Sequence, residues 1–207
     1  MNDEPVDIPR NILPWAIAVK GGVGLLAVGV AWPLGYRPGD WVAFDAASAA
    51  WGVLAALPML ALFGLCLALP LGPFRRLREV VDQMILPLFA ESRGIDILLI
   101  AALAGVGEEL MFRGLIQTGL SDWLVRSGSV GGWGESVGPW MAVATAAVIF
   151  GLLHAVTVTY AVLATLIGFF LGWLYLATGN LLTPIVAHAL YDAVALAWLL
   201  WRRRRQH

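Results

Sequence analysis

The stretch VLAALPMLALFGLCLALPLG, residues 53–72, contains no charged side chain, and runs of this kind recur along the chain. A helix needs about 20 predominantly apolar residues to cross the hydrocarbon core of a bilayer. Backbone N–H and C=O groups in lipid must be satisfied within the segment, which helices do. The sequence therefore specifies an all-α fold, a polytopic membrane helix bundle, with residues 1–207 forming a single integral membrane domain.

Six spans are expected. They are Ile12–Pro33, Ala46–Leu71, Ile95–Leu120, Pro139–Ala155, Val158–Ala177 and Leu181–Trp201. Trp15 and Trp32 flank the first as interface anchors. Residues 73–94, which contain the sequence FRRLREVVDQMILPLFAESRG, read as an amphipathic interfacial helix kinked near Pro87. A Gly/Ser loop covers residues 127–138. The acidic start MNDEPVDIPR lacks the basic region of a secretory signal, so the first span is expected to be retained. The single Cys66 excludes an intrachain disulfide. A net charge of -1 leaves no polybasic footprint for nucleic acid. Twelve of the 13 basic residues are Arg, which favours a GC-rich, bacterial source.

Charge sets the expected orientation. With six spans, Arg10, Arg75, Arg76, Arg78, Arg93 and Arg202–Arg205 fall on one side, and Arg37 and Arg126 on the other. The positive-inside rule then places both termini in the cytoplasm and the protein in the cell membrane. The RRRR tail reads as a stop-transfer anchor.

The spans hold few ionisable residues, among them Lys20, Glu108, Glu109, Arg113, His154, His188 and Asp192. Each costs about 2.5–3.5 kcal/mol at a helix centre on insertion scales, so each needs a reason to be there. Glu109 and Arg113 are i,i+4 neighbours and can pair. Glu108 is about 100° round the helix and stays available for proton transfer. The plainer role of the pair is an ion-pair clip between helices. Phe150 and His154 share a face at i,i+4. His188 and Asp192 do the same; the carboxylate can fix the imidazole tautomer or share a metal with it. For Lys20 the plain reading is snorkelling to the inner interface. Gly168 and Gly172 form a GxxxG, a close-packing device. Three carboxylates and two imidazoles on three spans could bind a water, take its proton and stabilise an oxyanion. HExxH and an intramembrane Asp pair are absent.

The motifs EELMFR, FGLLH and HALYD occur in the order EExxxR, FxxxH, HxxxD. In this the sequence resembles the CAAX protease and bacteriocin-processing family, also called the abortive-infection family, over its catalytic core at residues 95–198. The resemblance implies a glutamate-type intramembrane endopeptidase. It implies Glu108 as the base that activates water with help from His154. It implies His188 and the residue at 192 as holders of the oxyanion, and Glu109, Arg113 and Phe150 as supports. The prenyl endopeptidases have Asn where this chain has Asp192, and an ionised Asp cannot donate to an oxyanion. Asp192 would then be protonated, orient His188 or bind a metal. The expectation is no metal and no cofactor; the alternative is zinc held by Glu108, His154, His188 and Asp192. The expected partners are a peptide or membrane-protein substrate and the lipid bilayer, with no nucleic acid.

Straight spans do not bring these residues together. At 1.5 Å per residue, Glu108 and His188 fall towards the outer half and His154 towards the inner. Tilt, a start of span four within Gly134–Pro139, or a helix distorted around Gly105, Gly107 and Gly114 would reconcile them. Two other functions fit the composition: a non-catalytic self-immunity or regulatory scaffold, and a proton-coupled transporter. The filled motif positions favour the enzyme, and the chain lacks the paired repeats common in transporters.

Overall fold

A computed structural model describes residues 13–205. Arg10, the acidic N-terminal segment, Ile12, Gln206 and His207 lie outside the described residues. Every regular element among the described residues is helical. The long helices are α1 (Leu13–Ala31), α2 (Ala46–Ala68), α4 (Gly94–Glu109), α6 (Gly134–Leu153), α7 (Val158–Thr178) and α8 (Leu182–Arg204), with shorter α3 (Gly72–Val80) and α5 (Thr118–Arg126). Five of these, α1, α2, α6, α7 and α8, are long and apolar enough to cross a membrane by length and composition. Their outward side chains are apolar, for example Leu25, Leu57, Leu65, Leu166 and Phe169. The protein is a membrane protein built as a helix bundle.

The third expected span differs most from a regular helix. It begins at Gly94, where the Asp96 carboxylate accepts the Arg93 backbone N–H at 2.8 Å, and α4 runs to Glu109. The chain then widens into a π segment, Leu110–Gln117, and continues as α5 to Arg126. This composite helix is central. It packs against α1 and α8 through α4, and against α6 through the π segment and α5.

The fourth span starts at Gly134 rather than Pro139. Pro139 falls in the second turn of α6, where its missing N–H leaves one carbonyl of the first turn without its helical partner. This early start resolves the depth conflict. From Glu108 the composite helix climbs about 27 Å to Arg126, and α6 descends about 30 Å from Gly134 to His154 at 1.5 Å per residue. The two arms are matched in length, so His154 returns to the level of Glu108.

Close backbone contacts set the rest. A Cβ on Gly107 would lie 2.3 Å from the Lys20 carbonyl oxygen, and one on Gly24 3.1 Å from the Gly107 Cα. α1 and α4 therefore cross backbone against backbone, as small residues allow in membranes. Gly105 is similarly pressed on Ala189 and the Ile185 carbonyl of α8. At the start of α2 the Asp45 carboxylate accepts the Ser48 N–H at 2.8 Å; this bond lowers the Asp45 pKa.

The interfacial segment is anchored by arginines. Arg78 donates to the carbonyls of Cys66 (2.7 Å), Leu67 (3.2 Å) and Leu69 (3.1 Å) at the end of α2. The expected kink appears as a π turn, Val81–Ile85, followed by a 3-10 turn, Leu86–Phe89, that contains Pro87. α8 runs past the expected Trp201 to Arg204, because Arg202 pairs with Asp82 and Arg204 donates to the Ser92 carbonyl. The arginine tail thus ties α8 to the amphipathic segment.

Replacing Gly107 by Ala should force α1 away from α4. Overpacking of this kind costs about 1–3 kcal/mol. Thermal unfolding in detergent should show a lower midpoint for Gly107→Ala and an unchanged one for Gly29→Ala, where an added Cβ meets nothing.

Candidate active site

Four elements meet at the glutamate pair. Glu108 and Glu109 end α4, Arg113 lies in the π segment, His154 caps α6, and His188 and Asp192 lie on α8. The four motif residues Glu108, His154, His188 and Asp192 line one cavity of about 320 Å³.

Glu109 is fully buried and held from two sides. Its Oε1 accepts from Arg113 Nη1 at 2.9 Å and lies 2.7 Å from His188 Nδ1. Arg113, 1% exposed, also donates through Nη2 to the Gly168 carbonyl at 2.7 Å. Its guanidinium stands 5.0 Å from the centre of the Phe150 ring, a cation–π arrangement. Phe150 in turn meets Phe112 edge-on at 5.0 Å and lies 4.3 Å from the His154 ring. The pairing expected of Glu109 and Arg113 is present, and the same carboxylate also orients His188.

Glu108 faces the cavity. Its Oε2 lies 3.7 Å from His154 Nε2 and 3.8 Å from His188 Nε2. His188 Nε2 is 3.6 Å from Asp192 Oδ2. These gaps exceed a direct hydrogen bond and suit a bridging water. His154 Nδ1 lies 2.8 Å from the Phe150 carbonyl. A carbonyl only accepts, so Nδ1 carries the proton and Nε2 is the nitrogen turned to Glu108. Glu109 serves His188 in the same way.

One residue departs from its expected role. Lys20 does not snorkel; its ammonium forms an ion pair with Glu108 Oε1. The α1–α4 crossing at Gly24 and Gly107 brings it there. A lone lysine in an apolar run gave no signal of that partner. The GxxxG of α7 also does more than pack. Its two carbonyls, Gly168 and Gly172, accept from Arg113 and Gln117, the latter at 3.1 Å. Arg113 and Gln117 are four apart, as are the glycines. Tyr160, not singled out from the sequence, stands 6.3 Å ring to ring from His154 and lines the same cavity.

Among the described residues, no group of three His, Cys, Asp or Glu side chains is placed to hold a metal ion. Beyond the four motif residues the cavity is largely apolar. It extends past Phe63 and Ile100 to Arg78, Asp82 and Arg202 beside α3.

Residues 91–194 match the model of the Rce1-like family, described as type II CAAX prenyl endopeptidase Rce1-like. The chain belongs to this family. The family is one of CAAX-type membrane proteases. A similar protein is the uncharacterized protein YpbD of Bacillus subtilis (strain 168), 32% identical over 110 residues, which is 52% of this chain and 47% of YpbD. The chain thus spans about half the length of the curated relative it matches. No solved structure matches it significantly.

Removing Arg113 strands a buried carboxylate. Breaking one side of a buried ion pair costs about 3–5 kcal/mol. Arg113→Met should therefore abolish or sharply reduce the folded yield in detergent. Arg113→Met combined with Glu109→Gln should recover part of it, read by size-exclusion profile and unfolding midpoint.

Proposed function

We propose that the protein is an intramembrane endopeptidase of the glutamate type. The observation that carries this reading is Glu108 Oε2, at 3.7 and 3.8 Å from two imidazole nitrogens at the end of an apolar cavity. A water beside Glu108 Oε2 and His154 Nε2 gives its proton to the carboxylate as its oxygen attacks the scissile carbonyl carbon. The carbonyl π bond opens and its oxygen becomes the oxyanion. His154 relays the proton to the leaving amine as the C–N bond breaks.

His188 serves the oxyanion. With Nδ1–H held by Glu109, His188 carries a second proton on Nε2 as the imidazolium, and that Nε2–H is the donor turned to the cavity. Asp192, 3.6 Å away, acts through His188 by supporting the charged imidazole rather than by donating itself. A fixed donor in a site shielded from water acts more strongly than one in solvent. This role also accommodates an acidic residue at 192.

The reading needs neither metal nor cofactor. A zinc ion on the same residues would compete with Lys20 for Glu108. The proposed substrate is a peptide or a membrane-protein segment with an apolar stretch that fits the cavity. The proposed location is a bacterial cytoplasmic membrane with both termini inside.

Cleavage of a peptide library by the protein in liposomes tests this. Wild type should cleave, and Glu108→Gln should lose roughly 10²–10⁴-fold in kcat, the share of a general base. Cleavage should persist with a chelator; loss under chelation with recovery by zinc would move the same residues to metal ligation. The orientation has its own check: a C-terminal alkaline phosphatase fusion should be inactive, and a C-terminal fluorescent protein bright. The opposite pattern would reverse the assignment of the termini.

A further inference from the structure

The charges around Glu108 do not balance without α1. Facing it are Lys20 from α1, His154 at the end of α6, and His188 and Asp192 from α8, with Tyr160 of α7 beside His154. Glu109 is paired with Arg113, and His188 lies between Glu109 and Asp192. Two carboxylates, Glu108 and Asp192, remain on the cavity wall. The other permanent cations lining the cavity are engaged elsewhere: Arg78 on the α2 carbonyls and Arg202 on Asp82.

Lys20 is positioned for this by the backbone. Its carbonyl is pressed against Gly107, one residue before Glu108, so the ammonium has little choice of partner. It takes Oε1 and leaves Oε2 for the imidazoles. Only 30% of its side chain is exposed, so water screens the pair weakly.

We propose that Lys20 is a positioning residue whose ammonium, together with the His188 imidazolium, balances the Glu108–Asp192 carboxylate pair and holds Glu108 with Oε2 turned to both imidazoles. As a role in catalysis this rests on the endopeptidase reading above. Lys20 then keeps Glu108 a carboxylate despite the acidic neighbour at 192. Removing Lys20 should matter most while Asp192 is present, and less once Asp192 is neutral.

The test uses the full chain in detergent and an apolar carbodiimide, dicyclohexylcarbodiimide, which modifies protonated buried carboxyls. Modification at Glu108 is read by peptide fragmentation, with Glu108→Gln as the blank. Lys20→Met should raise labelling of Glu108 roughly tenfold, the equivalent of one pH unit. Lys20→Arg, which keeps the charge, should stay near wild type. Adding Asp192→Asn to Lys20→Met should return labelling most of the way. Where Lys20→Met does not fold, Lys20→Gln is read in the same way. On a cleaved peptide, Lys20→Met should lower kcat roughly tenfold with KM little changed, and again less in the Asp192→Asn background. Labelling unchanged by loss of Lys20, or raised equally whether 192 is acidic or neutral, overturns the proposal. If wild type cleaves nothing while labelling behaves as expected, the charge balance stands and the endopeptidase reading fails.

Discussion

The buried triad of Arg113, Glu109 and His188 is the interaction on which the bundle depends. A guanidinium that is 1% exposed and a carboxylate that is fully buried would be prohibitive apart. Together, with the Gly168 carbonyl and the Phe150 ring, they tie the central helix to α7, α6 and α8 at one depth. The same bonds fix which nitrogen of His188 faces the cavity. Structure and chemistry are therefore not separable at this point: the clip that assembles the helices also orients the site.

The π segment is the second constraint. A regular helix from Gly94 to Arg126 would turn Arg113 and Gln117 through an α period. The widened turn that follows Glu109 instead lets both reach the carbonyls of Gly168 and Gly172. π turns recur where a helix must present side chains to a functional site. Here the distortion begins at the residue after the glutamate pair, and Gly114 makes room for the Trp41 ring beside it.

Much of this was legible in the sequence because membrane spans are sparse in charge. With so few ionisable residues, the i,i+4 pairs Glu109–Arg113 and His188–Asp192 stood out, and the structure places both within reach. Five of the six expected spans and the amphipathic segment were equally legible, since hydropathy reports them directly. Two things were not. The start of α6 at Gly134 lies in a Gly/Ser-rich stretch whose local propensity favours a loop; packing on α5 overrides it. The role of Lys20 depends on α1 crossing α4, and a contact 88 residues apart in sequence leaves no periodic trace.

The polarity of the cavity gives the arrangement its direction. Four ionisable motif residues and Lys20 crowd one end, while the remaining wall is mostly apolar up to Arg78, Asp82 and Arg202. Charges in such a pocket interact strongly because little water screens them, and an unbalanced one would be expelled or neutralised. Each carboxylate accordingly has a basic partner at hand: Glu109 the arginine one turn on in the π segment, Glu108 the lysine of α1, Asp192 the histidine one turn before it on α8. Losing α1 would leave Glu108 without its lysine. That is a physical reason for α1, which lies outside the three motifs, to be as much a part of the site as the helices that carry them.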